Sequence, residues 1–206
     1  MLLKPKKFSK TIPDYIIGID EAGRGPLAGP VAVGTVRIGK NFDKKFFRGI
    51  RDSKQLNEEE REIWFELAKE AHKNGELSFA VSLISHTIID KRGMTRAVMM
   101  GIEKNLLKLN VSPSKSHIYL DGSLKAPSKF EHQLTIIKGD EKVAVIALAS
   151  IVAKVTRDRL MKKLSRKHPQ YGFEKHKGYG TKAHINAIKK FGPLSIHRKT
   201  FLKNII

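Results

Sequence analysis

The 206-residue chain predicts an α/β core followed by a helical C-terminal extension. Short apolar runs of strand length recur through the first two thirds, stretches with apolar residues at helical spacing lie between them, and two helical stretches close the chain. Hydrophobic residues at 40% and charged residues at 29% fall in the ordinary globular range. One compact unit over 1–206 is therefore expected, with the α/β core over about 1–155 and a basic helical part over about 156–206.

Local signals justify each element. Tyr15–Asp20 (YIIGID) is a mostly apolar run ending at a Gly/Pro-rich turn, as a buried strand does. Val31–Ile38 (VAVGTVRI) is its hairpin partner or the next strand. Asn57 is a good helix N-cap and Glu60, three residues on, completes a capping-box pattern; this helix runs to about Asn74 and stops at Gly75. Leu77–Ile84 is another strand. Val98, Ile102, Leu106 and Leu109 recur at helical spacing and define a helix over Met94–Leu109. His117–Leu120 is a short strand that delivers Asp121 at its end, and Gln133–Lys138 is a further strand, followed by Gly139 and Asp140. Val143 to about Lys167 is a long helix, apolar first and basic later. Gly178 and Gly180 mark a loop, and Thr181 caps a last helix that ends at Phe191, before Gly192 and Pro193.

Charge and composition narrow the function. Forty Lys and Arg against twenty Asp and Glu give +20. Between Lys154 and Ile206 fifteen Lys/Arg face only Asp158 and Glu174, so thirteen of the twenty surplus charges lie in the last quarter. A polyanion binds such a surface through phosphate contacts and counterion release; the alternative is a solvated lysine-rich surface, as in many heat-adapted proteins. The absence of cysteine excludes disulfides, cysteinate zinc sites and thiol catalysis, and fits a reducing compartment. Met1–Lys10 lacks the apolar core of a signal peptide, and the longest uncharged apolar run, Val143–Ala153, is too short to cross a bilayer. A soluble, cytoplasmic protein with no membrane partner is expected.

Asp20 and Glu21 stand where a buried strand meets a loop, and so does Asp121. Strand ends of an open α/β sheet converge on one crevice. Carboxylates gathered there repel, by about 4 kcal/mol for two ions ~4 Å apart at an effective dielectric of about 20. A hard divalent cation, Mg²⁺ or Mn²⁺, relieves that repulsion, and two such ions roughly 3.5–4 Å apart support phosphoryl transfer. Any one of these acids is equally explained as a strand-end residue bonding backbone amides. Strand alternation would also point Asp20 and Glu21 to opposite faces unless the chain bends, which Gly23, Gly25 and Pro26 allow. The turn Gly23-Arg24-Gly25-Pro26-Leu27-Ala28-Gly29-Pro30 has neither the spacing of a dinucleotide loop nor the G-K-[ST] of a P-loop. It reads as bare backbone that a sugar–phosphate strand can approach, with Arg24 as a donor. His168, His176, His184 and His197 show no HxH or HExxH spacing, which speaks against a histidine zinc site and for packing or phosphate contacts.

Asp20-Glu21-Ala22-Gly23-Arg24-Gly25-Pro26-Leu27-Ala28-Gly29-Pro30-Val31 resembles the signature of type 2 ribonuclease H, the bacterial ribonuclease HII family. Further matches follow in family order: Asp52-Ser53-Lys54-Gln55-Leu56, Leu120-Asp121-Gly122, Lys138-Gly139-Asp140, Ala149 to Asp158 (ASIVAKVTRD), His176-Lys177-Gly178-Tyr179-Gly180-Thr181, then His184 and His197 to Phe201. The resemblance implies an RNase H-like fold, a central mixed sheet flanked by helices. It implies hydrolysis of RNA in RNA–DNA hybrids, and incision 5′ of ribonucleotides embedded in duplex DNA with 3′-hydroxyl and 5′-phosphate products. Carried over by motif, Asp20, Glu21, Asp121 and Asp140 are the catalytic and metal-binding carboxylates for Mn²⁺ or Mg²⁺. Asp158 competes for the fourth place, its alternative being an i,i+4 ion pair with Lys154.

By the same resemblance Gly23, Arg24 and Gly25 sense the 2′-hydroxyl and Tyr179 packs on the adjoining deoxyribose; without it, Tyr179 is a core or surface aromatic. Ser53 and Lys54 are substrate-contact candidates, Lys54 to phosphate, with a solvated lysine beside a helix start as the alternative. The basic stretch Arg157–Lys167 is expected to hold the duplex backbone. A monomer is expected, and the sequence names no replication or repair partner. Rival readings are a type 3 ribonuclease H, which carries an additional N-terminal substrate-binding domain for which the stretch before Asp20 leaves no room, a DNA-only nuclease or integrase of the same superfold, and a non-catalytic nucleic-acid-binding protein.

Overall fold

The structure is a computed structural model and describes residues 13–50, 55–203 and 205. Five strands form one sheet in the order β3-β2-β1-β4-β5: β1 Tyr15–Ala22, β2 Val31–Gly39, β3 Leu77–Ile84, β4 Ser116–Asp121 and β5 Gln133–Ile136. The hairpin reading of the first two strands holds, since β1 and β2 pair antiparallel, as do β2 and β3. β4 and β5 instead run parallel to β1, which makes the sheet mixed.

The helices are α1 Glu58–Lys73, α2 His86–Arg92, α3 Met94–Lys108, α4 Gly139–Lys142, α5 Ala144–Lys167, α6 Phe173–His176, α7 Lys182–Phe191 and α8 Lys199–Leu202. The capping box at Asn57 forms in full: its side chain accepts from Glu60 N at 2.9 Å while Glu60 Oε2 accepts from Asn57 N at 2.7 Å. Thr181 caps α7 as expected. The sequence reading missed α2, although Ser85 caps it and Gly93 ends it; seven residues are too few to register a helical period. It also drew β5 two residues too long. Lys138 adopts a left-handed conformation (φ 55°) that turns the chain into α4.

Alternation along β1 sends Ile17 and Ile19 into a core shared with α2 and α3, and turns Gly18 and Asp20 to the opposite face. There α5 lies against the sheet almost backbone to backbone. A Cβ built on Gly18 would sit 2.3 Å from the Val145 carbonyl oxygen, and one on Gly34 would sit 2.1 Å from that of Ala149. These two glycines set how closely α5 approaches, and so bring Ser150 and Lys154 to the end of β1. The boundary expected near 155/156 falls inside α5, which runs unbroken to Lys167. A third apolar cluster joins the end of α5 to α6, α7 and α8 through Met161, Tyr171, Phe173, Ile188 and Leu202, and reaches back to Leu27 and Ala28 of the glycine turn.

Candidate active site

β1 and β4 are parallel neighbours in register through Ile19 and Leu120, so Asp20 and Asp121 leave the sheet side by side. With Glu21 they line a cavity of about 280 Å³ that also takes in Gly23, Arg24, Gly25, Ser150, Lys154 and Tyr179. Asp20 is buried. Its Oδ1 accepts the Glu21 amide at 2.7 Å, and Ser150 bonds its carboxylate. Burial raises its pKa well above the ordinary carboxylate value, and the charges of Glu21 and Asp121 raise it further. Glu21 is raised by burial first and, to a smaller extent, by the charge of Asp121, with Arg24 pulling the other way. One Glu21 oxygen receives Arg24 Nη1 at 3.2 Å; the other, Oε2, is buried with no hydrogen-bond partner.

Asp121 Oδ1 accepts the Gly139 amide at 2.6 Å, which ties the end of β4 to the start of α4. Asp140 is the next residue. It is buried, accepts the Glu141 amide at 3.1 Å, and lines an adjoining cavity of about 620 Å³ with Lys44, Arg48 and Lys142. The four acids singled out from the sequence thus divide three and one between neighbouring cavities. Among the described residues no group of three or more His, Asp or Glu is arranged to hold a metal ion. Ser53 and Lys54 lie outside the described residues.

The glycine turn is held by two arginines that the sequence reading did not place. Arg198 donates to Gly23 O and Arg24 O, both at 2.7 Å, and to Gly29 O at 3.0 Å. Arg157 donates to Pro30 O, Lys177 O and Ala28 O at 2.9, 2.9 and 3.1 Å. Both guanidinium groups are buried, so Arg157 is part of the scaffold and not of a duplex-facing basic surface. Gly23 has φ 92°, and a Cβ there would meet the Arg157 side chain at 2.1 Å; only glycine fits. Tyr179 is 45% exposed and lies over Gly25, whose Cβ would stand 3.7 Å from the ring.

The histidines pack. His184 and His197 are buried, with Nε2 atoms 3.1 Å apart, and His184 stacks on His176 at 4.5 Å. His184 Nδ1 faces Tyr179 O at 2.9 Å, while His197 Nδ1 lies 2.8 Å from the Leu194 amide and 3.2 Å from the Leu194 carbonyl; burial lowers the pKa of both rings, which favours their neutral forms. Asp158 pairs with Lys154 at 2.5 Å, the i,i+4 arrangement weighed against a place among the catalytic acids.

Comparison with known proteins gives one answer. The family described as ribonuclease HII matches residues 17–204. Ribonuclease HII of Endomicrobium trichonymphae is 46% identical over 90% of this chain and 84% of its own length. The crystal structure of ribonuclease H2 from Pyrococcus horikoshii OT3 superposes with a TM-score of 0.69 at 30% identity, covering 93% of this chain and 96% of that one. Bst-RNase HIII, solved in complex with Mn²⁺, shares the fold at a TM-score of 0.62 and 21% identity, over 86% of this chain and 63% of its own. The α/β architecture is therefore the RNase H-like fold expected from the sequence.

Proposed function

The chain belongs to the ribonuclease HII family, metal-dependent endoribonucleases acting on the RNA of RNA–DNA hybrids, and we propose that it also incises duplex DNA 5′ of an embedded ribonucleotide. The products carry 3′-hydroxyl and 5′-phosphate ends. One observation supports this reading above the rest: Asp20, Glu21 and Asp121 share a cavity with the Gly23-Arg24-Gly25 turn and Tyr179. Acids that manage phosphoryl transfer and groups that read a sugar are in one place.

The chemistry of the acids suits Mn²⁺ or Mg²⁺, although the side chains are not drawn together into a three-ligand group among the described residues. The donors are all oxygen, the preference of hard divalent ions; Glu21 Oε2 is buried without a partner; and burial first, then neighbouring acids, oppose ionisation of Asp20 and Glu21, which a cation would counter. Asp20, Glu21 and Asp121 would hold the ions from their shared cavity, and Asp140, which follows the Gly139 amide bound by Asp121, would approach them from the adjoining cavity as the fourth carboxylate. Bound at these residues, a pair of ions would supply an activated water for in-line attack and charge stabilisation for the departing 3′-oxygen. The remaining work falls to the chain. Ser150 and the Glu21 amide orient Asp20, and the Gly139 amide orients Asp121. The exposed Gly25 backbone, with Arg24 and the buried Gly23 beside it in the cavity wall, reads the 2′-hydroxyl, and the Tyr179 ring packs on the adjoining deoxyribose, where an added hydroxyl would clash. The protein works as a monomer in the cytoplasm.

The test is cleavage of an end-labelled duplex bearing one ribonucleotide, with Mn²⁺, with Mg²⁺ and with chelator. A single metal-dependent cut 5′ of the ribonucleotide is expected, with no cut in the all-DNA duplex. Equal cutting of both duplexes would make the protein a DNA nuclease of this superfold, and binding with no cutting in any metal would make it non-catalytic.

A further inference from the structure

His176, His184 and His197 pack together, and their ring nitrogens are bonded in a definite order. His176 Nδ1 accepts the Gly178 amide at 3.2 Å, so Nε2 carries the hydrogen and donates to Tyr171 O at 2.8 Å. His184 Nδ1 lies 2.9 Å from Tyr179 O. A carbonyl only accepts, so this nitrogen donates, and in the neutral ring Nε2 is left as an acceptor. His197 Nε2, 3.1 Å away, is then the donor. Its Nδ1 accepts the Leu194 amide at 2.8 Å, closer than the Leu194 carbonyl at 3.2 Å. One chain of hydrogen bonds thus runs from the Leu194 amide through two buried rings to the Tyr179 carbonyl. Burial favours the neutral rings on which this order depends.

Both rings bear on the surface that reads the sugar. Tyr179 lies beside Gly25, and its carbonyl is held by the Thr181 amide at 2.8 Å and by the His184 ring. His197 bridges Ala28 of the glycine turn through its backbone. That bridge is flanked by bonds from Gly29 N to Ile196 O at 2.9 Å and from Arg198 N to Leu27 O at 2.8 Å. The turn and Tyr179 come from opposite ends of the chain, and the histidine pair spans from one to the other. As filling alone the pair is an uneconomical choice, since two apolar side chains occupy a core without any polar atom to match. Matched polar atoms fix a direction instead.

We propose that His184 and His197 are positioning residues for Tyr179: the ordered pair fixes the Tyr179 carbonyl relative to the glycine turn and so sets where the ring meets the substrate. The inference rests on the proposed reading of Tyr179 as the residue packed on the deoxyribose beside the ribonucleotide. Neither histidine touches the substrate; each acts through Tyr179.

The test uses the full chain and two substrates in Mn²⁺: a duplex with one ribonucleotide, which has the adjoining deoxyribose, and a continuous RNA–DNA hybrid, which lacks it. The ratio of kcat/KM between them reads Tyr179. His184→Leu removes the donor to the Tyr179 carbonyl and should lower that ratio about tenfold, as Tyr179→Ala does by loss of its stacking contact. The double variant should stay within about twofold of Tyr179→Ala alone, whereas independent effects would multiply. His184→Asn, whose amide N–H stands near the place of Nδ1, should recover most of the ratio. In the metal-free wild type, nitrogen-15 NMR should show Nδ1–H in His184 and Nε2–H in His176 and His197.

His197→Met, which removes the donor to His184, is the second variant should His184→Leu not fold. Equal losses on both substrates that follow the melting temperature would make the pair structural and overturn the proposal, as would the opposite tautomer at His184. Tyr179→Ala by itself judges the underlying reading. An unchanged ratio there sinks the sugar contact and this inference with it; a lowered ratio there, beside an unmoved ratio in His184→Leu, sinks the inference alone.

Discussion

The carboxylate end of the sheet and the helical region behind it both bury ionisable side chains, and they treat them in opposite ways. In the helical region Arg157 and Arg198 are buried, yet each has three backbone carbonyls as acceptors. Burial lowers the Arg198 pKa to about 9, which still leaves it charged at neutral pH. His184 and His197 stay neutral and share one hydrogen bond. At the sheet end, Asp20 and Glu21 are pushed toward the protonated form by burial and by neighbouring acids, and Glu21 Oε2 has no partner. A protein interior accepts a charge readily when each polar atom finds its complement. Where complements are withheld, the molecule is holding a place for something else. The two regions meet at the glycine turn, since Arg198 grips the carbonyls of Gly23 and Arg24: the satisfied arginines position the turn beside the unsatisfied acids.

The contrast can be tested by removing charges from either side. The largest expected effect is on activity. Asp121→Asn should lower kcat about 10³-fold, the scale of losing a principal electrostatic group at a reacting centre, while duplex binding persists. In metal-free buffer the same variant should melt a few degrees higher, because Asn retains an acceptor for the Gly139 amide and ends the repulsion of Asp20. A melting temperature that falls would mean the acids are as well satisfied as the arginines. Arg198→Ala should do the reverse. It strands three carbonyls at about 1 kcal/mol or more each, so thermal melting should drop by roughly 6–12 °C, with cleavage at permissive temperature impaired through the disordered turn. A loss of activity without a loss of stability would refute the scaffold role.

Acid separates the regions by sign. His184 is depressed from 6.5 to about 4, mainly by burial. A base with a depressed folded pKa contributes stability that is complete above pH 6.5 and falls away as pH drops toward 4, by up to about 3 kcal/mol. Asp20 and Glu21 are raised, so their protonated forms favour folding at low pH and that contribution is lost as pH rises through the folded values. Urea unfolding of metal-free protein should therefore show a shallower acid loss in His184→Asn than in wild type, and a steeper one in Asp20→Asn. Parallel profiles for the two variants would remove the distinction. The smallest effect is expected at Tyr179. Its ring is 45% exposed, so Tyr179→Ala should leave the melting temperature unchanged and lower kcat/KM on the single-ribonucleotide duplex about tenfold, the worth of one stacking contact.

Particular residues show how far the chain could be read in advance. Asn57 and Glu60, Thr181, Gly75 and Gly192 punctuate helices within one turn of themselves, and each reading matched. Asp20 and Asp121 were legible as strand-end acids because the apolar runs before them are short and uninterrupted. The short helix α2 was not, since seven residues carry too little periodicity. Arg157 read as one more cation of a basic stretch, since nothing in its neighbours announces that its acceptors lie 127 and 129 positions away. Asn105 is similar. It is buried on α3 and donates to Val33 O at 2.8 Å across 72 positions, with no local mark of that role.

Sequence alone fixed the alternation, capping and motif order from which the strands, helices and family follow, because those signals act between residues a few positions apart. Folding in three dimensions settled which acids share a cavity, sending Asp140 to the adjoining one, tying Asp158 to Lys154, and burying Arg157 and Arg198 against the turn. Burial and charge are set by whatever comes to lie alongside, and partners more than a hundred residues distant in the chain become neighbours only once the sheet and α5 have packed.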